Sequence, residues 1–200
     1  MRSFDQSGAI PAGTSSANKS TFHPLTTLKC DGPAVFRSQT ARDLACLLDI
    51  DKAVLSWRCQ PLGQDGRTEQ RGPDFLVNHV DGTRRYLDAP DRKASKAISV
   101  DRLDNDYLQI SHDEIYNGFR LQNARDLLRY GAWRTSLGDR VRILAALDEH
   151  GILTLAECLG AIQESRPVAA IASLILSGFL EVDLDDALLG PETMVRRIRP

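Results

Sequence analysis

The stretch from Pro73 to Asp88 constrains this chain's fold more than any other: Pro73-Asp74, then Phe-Leu-Val-Asn-His-Val, then Asp81-Gly82, then Thr-Arg-Arg-Tyr-Leu-Asp88. Two β-rich runs flank an Asp-Gly pair, the dipeptide that best tolerates the positive φ of a hairpin turn. The two runs therefore pair antiparallel. Counting back from the turn sets Asp88 beside Asp74, although fourteen residues separate them in the chain.

Two carboxylates at the end of a hairpin can serve as hard oxygen ligands for Mg²⁺ or Mn²⁺ beside a phosphodiester. Such a site also needs a group to position the attacking water, commonly a lysine two residues beyond the second acid. Residues two apart on a strand point the same way. Two registers are open. In the first, Asp74 and Asp88 are the acids, and Pro90 occupies the lysine position without charge or donor. In the second, Asp91-Arg92-Lys93 spells acid-x-lysine, but beyond Pro90, on the following helix. Without further context Asp74 is a strand-opening residue and Asp88 a solvated strand acid.

The rest of the chain alternates helix and strand. Ser38 caps a helix to about Asp49 with Leu44, Leu47 and Leu48 on one face. Ala53 to Pro61 is a strand, followed by a polar loop with Gly63, Gly66 and Gly72. Asp91 to Leu103 has helical character, and Tyr107 to Ile110 is a short strand. Ser111-x-x-Glu114 is a capping box opening a helix, a second helix begins near Asn123, and Gly138 to Gly151 is amphipathic. Thr154-x-x-Glu157 is a second capping box, with a helix to about Gln163. Pro167 opens a helix that stops at Gly178, and Phe179 to Leu184 reads as a strand. The expected architecture is α/β, with an αβββαβ unit followed by a helical winged-helix-like region. The segments are an N-terminal arm over 1–30, a core over 31–116 and the helical region over 117–200.

In combination, Ser38–Pro61, Gly72–Asp91, Ile110–Leu128 and Leu174–Val195 resemble TnsA-type endonuclease subunits of heteromeric transposases. The order of segments is similar to that family from about Ala34 to Val195. The resemblance implies a restriction-endonuclease-like PD-(D/E)xK core, a winged-helix region, DNA as substrate, and a transposase subunit and an ATPase regulator as partners. It also implies a departure. The family's helix glutamate falls on Ala41 and its lysine on Pro90, which leaves Asp74 and Asp88 as the remaining metal ligands. Lys93 or Asp43 could substitute from displaced positions. The expected function is a catalytically degenerate DNA-binding or assembly subunit in transposition or its regulation, with no cofactor. The alternatives are an active endonuclease using Mg²⁺ or Mn²⁺ to nick transposon ends, and a protein-interaction module that does not bind DNA.

Net charge is −2, so DNA contact must come from a local patch rather than a global field. Arg120, Arg125, Arg129, Arg134, Arg140 and Arg142 outnumber Asp126 and Asp139 between Asn117 and Leu144. Arg67, Arg71, Arg84 and Arg85 are further candidates near the aspartates. The segment Pro167–Gly178 is unsuited to reading bases, because it carries no basic side chain and Glu181, Asp183, Asp185 and Asp186 follow it. A buried helix with an acidic rim is the expectation there. Cys30, Cys46, Cys59 and Cys158 have no metal-ligand spacing and read as buried thiols. The N-terminus has no apolar secretory core and no apolar run is long enough to span a bilayer, so the expected location is cytoplasmic.

Overall fold

The computed structural model describes residues 21–59, 73–90 and 106–199. The first twenty residues, the glycine-containing loop with Arg67 and Arg71, and the expected helix with Lys93 lie outside the described residues. The fold is mixed α/β, built on two sheets and two apolar clusters.

Helix α1 (Gln39–Ile50) begins where Ser38 accepts the Ala41 N–H at 3.1 Å, satisfying one of the helix's orphan donors. Ala41, Leu44, Ala45, Cys46 and Leu48 are buried along it. Strands β1 (Val54–Cys59), β2 (Phe75–His79) and β3 (Arg84–Asp88) form an antiparallel meander, and β4 (Tyr107–Gln109) joins β3 in parallel. The β2–β3 turn works as its sequence demands. Gly82 takes φ +84°, and Asp81 accepts both the N–H and the hydroxyl of Thr83. Trp57 and Phe75 face α1 edge to face, 5.6 Å between centroids, with Phe36 beside them.

Helix α2 (His112–Tyr116) opens on the expected Ser111–Glu114 capping box, with both reciprocal bonds present. Helix α3 (Arg120–Leu128) starts three residues before the expected Asn123. Gly118, at φ +73°, turns the chain between the two helices, so no side-chain cap announces α3 in the sequence. Ile115, Leu121, Ala124 and Leu128 join the core of the first sheet.

The second cluster gathers α4 (Leu137–His150), β5 (Ile152–Thr154), α5 (Leu155–Ala161), α6 (Pro167–Leu176), β6 (Leu180–Glu181) and β7 (Met194–Arg197). The sheet order is β5-β7-β6, antiparallel throughout. The Thr154–Glu157 capping box and Pro167 at the start of α6 are as expected. The strand expected over Phe179–Leu184 is shorter, only Leu180–Glu181. Val195 is buried opposite Leu153, and Arg197 pairs with Asp148. Residues Ala169 to Leu174 of α6 are buried. Packing consumes the helix and leaves no recognition surface along that face.

Asp139 closes this second half. Burial opposes its charge. The backbone N–H groups of Gln163, Glu164 and Ser165 and the Ser165 side chain outweigh that burial and hold its carboxyl well below the usual range. Arg142 adds an ion pair at 2.6 Å. One carboxylate thereby fastens the α5–α6 connection onto α4.

Asn123, 1% exposed, links the halves. Its amide donates to the Leu184 and Ala187 carbonyls at 2.9 and 2.8 Å, and its oxygen accepts the Leu189 N–H. Cys46 and Cys59 are buried thiols, pushed up to about 12 and about 11 by desolvation, and Cys158 likewise to about 11. Among the described residues no helix is long and apolar enough to cross a membrane.

Asp139→Ala should lower the urea midpoint of the protein at pH 7. Because the folded pKa lies below the ordinary 3.8, the carboxylate's contribution is complete above that value and disappears as pH falls through the folded one. The gap between wild type and variant therefore stays constant at neutral pH and narrows below about pH 4. Parallel urea titrations at several pH values check this.

Candidate functional site

The β2–β3 register pairs Phe75 with Leu87, so its next position sets Asp74 opposite Asp88. The carboxylates do converge, and each is used by the other's strand. The Asp74 N–H donates to Asp88 Oδ1 at 2.7 Å, and the Ala89 N–H donates to Asp74 Oδ2 at 2.9 Å. Asp88 is 1% exposed.

Two residues absent from the sequence argument complete the cluster. Arg37, just before the cap of α1, grips Asp74 with a two-pronged guanidinium. Nε lies 2.6 Å from Oδ1, Nη2 lies 2.8 Å from Oδ2, and Nη2 also donates to the Ala89 carbonyl at 2.9 Å. Tyr107, on β4, donates its hydroxyl to Asp88 Oδ2 at 2.7 Å. The planar fork of arginine matches a carboxylate in a way lysine does not. Nothing in residue spacing gives away either partner. Arg37 lies far along the chain from Asp74, and the parallel β3–β4 register is not fixed by a turn.

This arrangement holds strand ends together. Its positive charge is supplied from within, by a guanidinium seated on the carboxylate that a Mg²⁺ ion would need. A divalent ion at Asp74 would have to displace Arg37 or sit against it at a Coulombic cost. Ala41 is 1% exposed within the core of the first sheet. Among the described residues no group of three or more His, Cys, Asp or Glu side chains is placed to hold a metal ion. Asp43, the expected substitute, is buried and committed elsewhere. It accepts from Arg125 at 2.6 Å, from the Tyr116 hydroxyl at 2.8 Å and from Gln39. Pro90 follows the buried Ala89 at the end of β3, and Lys93 lies outside the described residues.

The candidate phosphate contacts fare unequally. Arg120 pairs with Asp185 at 2.6 Å, Arg125 with Asp43, and Arg129 with Asp126 at 3.4 Å. Arg142 pairs with Asp139 and Glu164, and Arg140 lies over the Phe179 ring. The local excess of arginine along the chain is thus largely neutralised by acids brought in from elsewhere. Arg84 and Arg85 are different: both are exposed on β3, and among the described residues neither makes a salt bridge, although Arg85 lies close enough to Asp81 to help lower its pKa. Strand alternation puts Arg84 on the face of Tyr86 and Asp88. Arg67 and Arg71 lie outside the described residues.

Arg37→Ala should destabilise the fold by about 1–3 kcal/mol, because it strips charge-assisted bonds from a carboxylate whose side chain is only 9% exposed. Tyr107→Phe should cost about 1 kcal/mol. A double-mutant cycle of Arg37→Ala with Asp74→Ala, read by chemical denaturation, should return a coupling energy of the same order as the Arg37 loss.

Compared with known proteins, the sequence matches no protein-family model and no curated protein.

Proposed function

We propose that this chain is a TnsA-like nuclease-fold protein that no longer cuts, and that it serves as a DNA-binding or assembly subunit in transposition or its regulation. One observation carries the reading. Asp74 and Asp88 meet as a cutting site requires, yet their oxygens are held by Arg37, Tyr107 and backbone N–H groups. The order of α1, the β1–β3 meander and the parallel β4 is consistent with a restriction-endonuclease-like core. The succession α4, β5, α5, α6, β6, β7 is consistent with a winged-helix-like region. On this reading DNA lies beside Arg84 and Arg85 at the start of β3, and a transposase subunit and an ATPase regulator are the partners. No divalent cation takes part.

The pairing of Arg120, Arg125 and Arg129 with acids favours a second reading, an interaction module that does not touch DNA. Salt titration separates the two. On the first reading the chain binds duplex DNA at low salt, and binding weakens steeply as salt rises. Replacing Arg84 and Arg85 together by alanine should lower the salt slope by about two counterions. Absence of binding at low salt leaves only the second reading.

Supercoiled plasmid incubated with Mg²⁺ or Mn²⁺ should remain as intact with wild type as with Asp74→Ala. Nicking by wild type that vanishes in Asp74→Ala would instead establish the active endonuclease.

A further inference from the structure

Helix α4 buries one face and leaves the opposite one bare. Asp139, Ile143 and Leu147 are its buried residues, and α5, β5 and β7 pack against it. On the far side Leu137, Val141 and Ala145 follow one another at intervals of four residues, and all three are exposed, Leu137 at 66% and Val141 at 57%. At about 100° per residue they form one stripe, turned about 160° from the buried face. Single exposed apolar residues are ordinary. Two large ones a helical turn apart, with a small one a turn further on, make a seam of the kind that receives another helix.

The seam carries opposite charges at its two ends. Arg134 is exposed just before the cap Ser136, and Asp148 and Glu149 are exposed in the last turn. Asp148 pairs with Arg197, whereas Arg134 and Glu149 make no ion pair among the described residues. Each of these two stands at the end of the helix dipole that shares its sign. That placement costs the isolated chain and rewards a neighbour running the other way.

We infer that α4 is the contact surface for a second copy of this chain, packed antiparallel about a two-fold axis at Val141. A two-fold contact makes each pairing twice. With Val141 on the axis, Leu137 of each copy meets Ala145 of the other, so a large side chain lies over a small one. Arg134 of each copy meets the Asp148–Glu149 end of the other, and the helix dipoles oppose. A parallel pair would instead set Arg134 against Arg134 and Glu149 against Glu149. A lipid surface fits poorly, because a membrane-bound helix flanks its apolar stripe with cations and this seam ends on two acids. The stripe is short, which places the contact in the weak, transient class. The inference goes beyond the DNA-binding reading and does not depend on it.

Sedimentation equilibrium of the full-length chain tests it from about 1 µM to about 1 mM, the span in which so small an interface associates. The average mass should rise from that of one copy toward that of two and stop there. Val141→Glu sets two like charges on the axis and should raise the dimer Kd at least about tenfold. Arg134→Glu and Glu149→Lys each place like charges at both ends of the seam and should each weaken self-association about fivefold or more. Mixed in equal amounts, these two variants should associate with each other as wild type does, because the mixed pair joins opposite charges at both ends. A monomer mass throughout the range overturns the inference. So does a dimer whose Kd is unchanged by Val141→Glu, a mass that climbs past two copies, or a mixture that associates no better than its components. Circular dichroism checks that each variant is folded, and should Val141→Glu unfold, the mixing experiment decides.

Discussion

Helix α1 carries charges into the core, and the placement of its neighbours follows from the need to compensate them. Arg42, Asp43 and Asp49 are each 2% exposed or less. A buried charge without partners costs more than a domain of this size can spare. Arg42 donates to the Pro24 and Thr26 carbonyls at 2.8 Å and lies over the Phe36 ring. Asp43 holds Tyr116 of α2 and Arg125 of α3. Asp49 holds the backbone at Leu28 and Lys29 and the Trp57 indole of β1. The segment before α1, the helices after β4 and the first strand are thus each fastened to one helix by directional bonds. Apolar packing alone would not specify their orientation in this way.

The paired aspartates show the same economy. A hairpin of fixed register brings two like charges to one end of a sheet, where each would raise the free energy of the other. A divalent cation is one means of offsetting that repulsion, and the two-pronged guanidinium of Arg37 is another. In the structure the two carboxylates tie the ends of β2 and β3 together through backbone N–H groups.

The seam between the cores is held by few but specific contacts. Asn123 satisfies three backbone groups of the segment after β6, Lys52 reaches Glu181, and Arg120 reaches Asp185. Two of the four acidic residues that follow α6, Glu181 and Asp185, are thus spent on the first core. Small cavities tend to remain where two independently packed clusters meet, since each optimises its own interior.

Local signals in the sequence settled a good deal. The Asp-Gly turn and strand periodicity determined that Asp74 lies opposite Asp88, because a hairpin register follows from its turn. Ser38, Ser111, Thr154 and Pro167 marked helix starts, because a capping bond spans only three residues. The acid-free, apolar character of Pro167–Gly178 pointed to burial. Tertiary structure alone decided what those elements meet. It put Arg37 on Asp74 and Tyr107 on Asp88, and it turned Asp43 away from the aspartate pair toward Arg125. It neutralised most of the arginines that look like a patch along the chain, and it made strands of Ile152–Thr154 and Met194–Arg197. Apart from Arg129–Asp126 and Arg142–Asp139, three residues apart in the chain, these partners lie tens of residues apart and no turn or cap links them. Their pairing is set by which charges must be compensated once the cores have closed.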